Sequence, residues 1–94
     1  MKRSLSCLIL LLASTTVYAE PNMALMASSC AGCHGTDGHS KGDMPKLAGL
    51  APEYFIEQMQ DFISGERESS VMRHHAGAYS ETEIRLLAKY FSEQ

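Results

Sequence analysis

The sequence of 94 residues lacks several features that define common functional classes. It has no run of lysines and arginines, which nucleic-acid-binding and anionic-membrane-binding surfaces use, and its net charge at pH 7 is −3. No apolar run is long enough to cross a membrane, because residues 5–13 supply only about half of the ~20 residues required. No stretch alternates apolar and polar residues for long enough to form a strand. Three cysteines are too few for a disulfide framework.

The N-terminal segment has the organisation of a secretory signal peptide. Lys2 and Arg3 precede the apolar run, and Val17-Tyr18-Ala19 resembles a small-residue cleavage site. We expect a signal peptide over residues 1–19, cleaved after Ala19, and export to the periplasm. An uncleaved tether is the alternative interpretation. Cys7 would leave with this segment as an incidental small apolar residue.

Residues 20–94 would then form a single domain of 75 residues. Lys2 and Arg3 would be lost, which leaves six basic against eleven acidic residues and a net charge of −5. A partner with a positive docking patch would suit this charge. A domain of this size usually needs a metal, a disulfide or a cofactor to complete its core.

The motif Cys30-Ala31-Gly32-Cys33-His34 points to such a cofactor. C-x-x-C-H is the attachment signature of c-type haem, in which two thiols form thioethers and the adjacent imidazole binds the iron. Three alternatives fit less well. A redox dithiol needs a βαβ context, a structural zinc needs a second ligand pair at suitable spacing, and a disulfide gives His34 no role.

Helical periodicity predicts three main helices, with one-turn additions allowed. Asn22 can cap a helix from Met23 to about Cys30, Pro52 and Gly65 bound a second helix, and a Ser80–Glu83 capping box opens the third. Apolar residues recur at helical spacing in each helix and predict its buried face. These residues are Ala24, Ala27 and Ala31, then Phe55, Met59, Phe62 and Ile63, then Ile84, Leu87, Ala88 and Phe91.

Two irregular segments, residues 35–49 and 66–79, connect the helices. His39 in the first segment is interpreted as a solvated residue. Pro45 ends that segment. It either breaks the turn or offers its carbonyl oxygen to the free ring nitrogen of His34, which would set the tautomer of the imidazole.

A haem bound by His34 has one further axial position, and its occupant separates a carrier from a sensor or an enzyme. Met72 is the predicted ligand, because it follows His34 by 38 residues in the second irregular segment. A thioether ligand raises the reduction potential, which suits an electron carrier. His74 or His75, Met44 and an open site are the alternatives.

The haem motif, the segment Pro45-Lys46-Leu47-Ala48-Gly49 and the pattern from Met72 to Tyr79-Ser80 together resemble class I cytochromes c. The similarity is greatest to the compact periplasmic branch that includes the haem subunit of flavocytochrome c sulfide dehydrogenase. This resemblance implies an all-α fold wrapped around one covalently bound haem c. It also implies thioethers at Cys30 and Cys33, iron ligation by His34 and Met72, and a contact from the Pro45 carbonyl to His34.

Two positions depart from the family pattern, namely Leu50, where relatives often have glutamine, and the pair His74-His75. The resemblance implies one-electron transfer without bond chemistry by the chain itself. The expected setting is the cytochrome subunit that accepts electrons from a flavoprotein sulfide dehydrogenase. A freely diffusing carrier between a dehydrogenase and a terminal oxidase, and an open-site sensor or peroxidase, are the competing hypotheses.

Overall fold

The computed structural model describes residues 2, 4, 8–16 and 21–94. Four helices follow one another along the chain: α1 (Met23–His34), α2 (Pro52–Ser64), α3 (Ser70–Ala76) and α4 (Glu81–Ser92), with a 3-10 turn at Thr36–Gly38. No strand occurs in the described residues, and the predicted all-α class is confirmed.

The predicted signal peptide is not tested by this structure. Cys7 and the predicted cleavage site at residues 17–19 lie outside the described residues, while residues 8–16 adopt no helix. Within the part of the chain that is described, no helix has both the length and the apolar character needed to cross a membrane.

Helix α1 is capped as predicted but extends further than predicted. The Asn22 side chain accepts a hydrogen bond from the Leu25 N–H at 3.1 Å. The helix continues past Cys30 to His34, because no residue of the motif interrupts it until Gly35, whose φ of +81° an L-residue rarely adopts. The haem motif therefore occupies the last turn and a half of α1.

The predicted ends of α2 and α4 are confirmed. Pro52 occupies the first turn of α2, and Gly65 ends the helix in the left-handed conformation. At the start of α4, Ser80 Oγ accepts from the Glu83 N–H at 3.1 Å, and Glu83 Oε1 accepts from the Ser80 N–H at 2.9 Å. This reciprocal pair is the predicted capping box.

The prediction of an irregular segment over residues 66–79 is wrong in its centre, where α3 forms. Ser69 Oγ accepts a hydrogen bond from the Met72 N–H at 3.1 Å and so caps this helix. Arg73, His74 and His75 lie in its last turn, where positive charge is favourable to the helix dipole. Met72 is consequently held on a helix.

The core lies where α2 and α4 pack on each other and on α1. The buried hydrophobic residues include most of the predicted stripes, namely Ala27, Phe55, Met59, Phe62, Ile84, Leu87, Ala88 and Phe91. Ile63 is 41% exposed, so its prediction as core was wrong. At about 100° per residue it lies roughly 80° around α2 from Phe55, at the edge of the buried face. Ala24 is also exposed.

The segment that carries Pro45 is anchored to both ends of the domain. The Gly38 carbonyl accepts hydrogen bonds from the N–H groups of Leu47 and Ala48 at 2.9 and 3.1 Å. The Gly49 N–H donates to the Phe91 carbonyl of α4 at 2.8 Å. These bonds fix the backbone that follows Pro45, and with it the position of Pro45 relative to α1.

Candidate haem site

A cavity of about 430 Å³ opens between α1, α2, α3 and residues 44–50. Its walls are mostly apolar side chains with a few polar groups, which is the usual composition of a cofactor pocket of this size. The cavity brings together every residue predicted to hold haem: Cys30, Cys33, His34, Pro45 and Met72.

His34 forms one wall of the cavity with an oriented ring. Its side chain is 8% exposed, and Nδ1 lies 2.6 Å from the Pro45 carbonyl oxygen. Because a carbonyl only accepts hydrogen bonds, Nδ1 carries the proton and donates it. Nε2 has no hydrogen-bond partner among residues 21–94, and it therefore retains a lone pair suited to a metal ion.

Cys30 and Cys33 lie three residues apart on α1 and line the cavity from the same side. Both are free thiols; Cys30 is half-buried and Cys33 is exposed. Burial raises the pKa of the Cys30 thiol, and a contact with the Ser29 hydroxyl partly opposes this effect. The described residues contain no cluster of three or more His, Cys, Asp or Glu side chains that would hold a metal ion, so the motif is not half of a zinc site there.

The candidates for the second axial ligand are placed differently. Met72 is half-buried on α3 and lines the cavity. Met44 and His75 also reach the cavity, but Met44 is 51% exposed, and His74 does not line it. His39 is exposed outside the cavity, as its interpretation as a solvated residue requires.

Several cavity residues were not predicted from the sequence. Arg67 donates a hydrogen bond to Gln58 Oε1 at 2.7 Å, and its guanidinium lies 4.7 Å from the centre of the Phe62 ring. The Tyr79 and Ser29 hydroxyls lie 2.7 Å apart. Gln58 immediately precedes buried Met59 on α2, a position at the edge of the apolar stripe, whereas no local pattern marks the pairing of Tyr79 with Ser29.

The family model for cytochrome c matches residues 20–93, which is most of the chain. This chain belongs to the cytochrome c family. It is 48% identical to the cytochrome subunit of sulfide dehydrogenase from Chlorobaculum tepidum, over 77% of this chain and 66% of the relative. It is 36% identical to the thiosulfate dehydrogenase electron acceptor of Thiomonas intermedia, over 71% of this chain and 32% of the relative.

A solved structure of cytochrome c4 from Acidithiobacillus ferrooxidans has the same fold, with a TM-score of 0.67 and 26% identity. The match covers 82% of this chain and 53% of that one. The chain therefore spans between about a third and two thirds of the length of these relatives.

Membership in the cytochrome c family confirms the predicted cofactor, haem c, with Cys30 and Cys33 in the position of the attachment cysteines. The cavity fits this group on three counts. Its walls are mostly apolar, both motif thiols reach it, and the imidazole of His34 presents an unpartnered nitrogen beside them.

Proposed function

We propose that this cytochrome c carries one electron at a time on a single haem c. Cys30 and Cys33 hold the group through thioethers, His34 binds one face of the iron, and Met72 binds the other. Haem c supplies the Fe(III)/Fe(II) couple. The chain performs no bond chemistry of its own, which agrees with its membership in an electron-carrier family.

The observation that carries this proposal is the 2.6 Å hydrogen bond from His34 Nδ1 to the Pro45 carbonyl. It fixes the tautomer with Nε2 unprotonated and increases the basicity of the ring. Pro45 is itself held by the anchored segment that follows it, so the ring orientation is set before any ligand binds.

The remaining walls keep water away from the site. Phe55, Met59 and Phe62 of α2 are each less than 10% exposed and line the cavity. A dry, pre-formed site of this kind changes little between oxidation states. A thioether from Met72 favours ferrous iron and raises the reduction potential.

The expected spectroscopic test replaces Met72 with alanine. Met72→Ala removes the charge-transfer band of methionine-ligated ferric haem and lowers the reduction potential. Met44→Ala is the matched control, because Met44 lines the same cavity but is half-exposed. An unchanged spectrum in Met72→Ala contradicts the proposed ligation, and loss of the band in Met44→Ala would assign the ligand to Met44.

For the biological setting, we propose the cytochrome subunit that accepts electrons from a flavoprotein sulfide dehydrogenase in the periplasm, after cleavage of residues 1–19. The 48% identity to the Chlorobaculum tepidum subunit supports this setting. Affinity purification of the tagged, exported chain from its native host should recover a flavoprotein in equal molar amount. Recovery of the cytochrome alone contradicts a stable subunit and favours a freely diffusing carrier.

A further inference from the structure

One hydrogen bond crosses the rim of the cavity between two distant parts of the chain. The hydroxyl of Tyr79, in the turn between α3 and α4, lies 2.7 Å from Ser29 Oγ on α1. Both residues line the cavity, and Tyr79 is half-buried against the core. The two residues are 50 positions apart, so the bond is a purely tertiary contact.

The direction of this bond follows from the second contact of Ser29. A serine hydroxyl has one proton, and Ser29 Oγ–H donates to the Met26 carbonyl at 3.1 Å. Tyr79 is therefore the donor, and Ser29 Oγ the acceptor. Since Ser29 is tied to the backbone of its own helix, the acceptor is held in place, and Tyr79 binds a rigid partner.

Tyr79 is coupled to α3 on the other side of the bond. Its N–H donates to the Ala76 carbonyl at 3.4 Å, and the Ala78 N–H donates to the His75 carbonyl at 3.1 Å. The turn therefore continues the hydrogen bonding of α3, the helix that carries Met72. Ser29 directly precedes Cys30. The bond thus joins the segment of the proposed methionine ligand to the helix that bears both cysteines and His34.

We propose that Tyr79 and Ser29 form a latch that positions Met72 and slows its replacement by other ligands. They are positioning residues, because they act on the iron through Met72. This inference rests on the proposed ligation by Met72. The seven residues of α3 make their principal helix contact with α2, so the latch supplies a direct hydrogen bond from this corner to α1.

The test measures the rate at which imidazole binds the ferric holoprotein in stopped flow, a reaction that requires Met72 to leave the iron. Tyr79→Phe removes the donor and keeps the ring, and Ser29→Ala removes the acceptor. Loss of one neutral hydrogen bond should increase the rate about threefold to tenfold in each variant. Because one bond is removed in both cases, the double variant should be no faster than the faster single variant.

Two matched controls separate the latch from general effects. Tyr54→Phe changes another cavity tyrosine, whose hydroxyl has no hydrogen-bond partner among the described residues. Ser28→Ala removes a hydroxyl that bonds only its own helix, at the Leu25 carbonyl. Both controls should bind imidazole at the wild-type rate.

Three results would overturn the latch. The first is a lower denaturation midpoint in Tyr79→Phe with an unchanged imidazole rate, which a merely structural hydrogen bond would produce. The second is an additive effect in the double variant. The third is retention of the methionine band in Met72→Ala, which would remove the proposed ligation itself; if that band is lost while the rates in Tyr79→Phe and Ser29→Ala are unchanged, only the latch fails.

Discussion

Gly38 lies at the point where the 3-10 turn, the Pro45 segment and α4 meet, and an added methyl group there should destabilise the domain strongly. Its φ is +79°, and a Cβ at this position would lie 2.9 Å from Ala48 N, Leu47 Cβ and Phe91 Cδ1. Two of these are atoms of a backbone or its first side-chain carbon, and Phe91 is 1% exposed, so little relaxation is available. We therefore expect Gly38→Ala to carry two separate costs.

Gly49 allows the two costs to be separated. Its φ is +77°, nearly the same as that of Gly38, but a Cβ there would meet nothing within 4 Å. Gly49→Ala should cost about 1–2 kcal/mol for the left-handed backbone alone. Gly38→Ala should add about 1–3 kcal/mol of overpacking, for a total of about 2–5 kcal/mol.

Guanidinium unfolding of both oxidised holoproteins, followed by far-ultraviolet circular dichroism, measures the difference. The free energy of unfolding should fall further in Gly38→Ala by at least about 1 kcal/mol. Equal losses in the two variants would refute the reasoning, because the overlap at Gly38 would then have no energetic consequence and the anchoring of the Pro45 segment would not depend on close packing.

Two further predictions concern α4. The hydrogen bond from Tyr90 to Asp37, at 2.6 Å, raises the pKa of Tyr90, so its stabilisation is present below the ordinary tyrosine value of about 10 and is lost as the pH rises through the raised pKa. Thermal melts at pH 8 to 11 should therefore show a steeper loss of stability in the wild type than in Tyr90→Phe, and parallel curves would contradict the contact. Phe91→Ala should cost about 3–5 kcal/mol in urea unfolding, and Ile63→Ala less than half as much, since Phe91 is 1% and Ile63 41% exposed; equal costs would contradict the assigned core.

Features of the fold with local causes were predictable from the sequence. The cap at Asn22, the bounds at Pro52 and Gly65 and the capping box at Ser80 each involve side chains within a few residues of the backbone that they terminate. Their geometry is decided by short-range hydrogen bonds and by the backbone preferences of proline and glycine, so a single sequence suffices.

Helix α3 was not predictable in the same way. A helix of seven residues is too short to be stable alone, and its stability comes from packing on α2. The Ser69 cap was visible as a residue type, but serine is equally common in loops. Only the tertiary contact distinguishes the two outcomes.

The candidate site divides along the same line. The attachment motif is five consecutive residues, so its chemistry can be read directly. The pairs Tyr79–Ser29 and Tyr90–Asp37 join residues 50 and 53 positions apart, and no local periodicity specifies such partners. The roles of Pro45 and Met72 rested on family resemblance; the structure places both residues at the cavity that contains His34.

The most direct test of the account is the covalent state of the chain after maturation with a competent haem-attachment apparatus. Mass spectrometry of the exported protein should find one haem on the peptide that contains Cys30 and Cys33, and neither thiol should react with an alkylating reagent. A colourless product in which both thiols alkylate would contradict the central claim that this cavity is built around haem c.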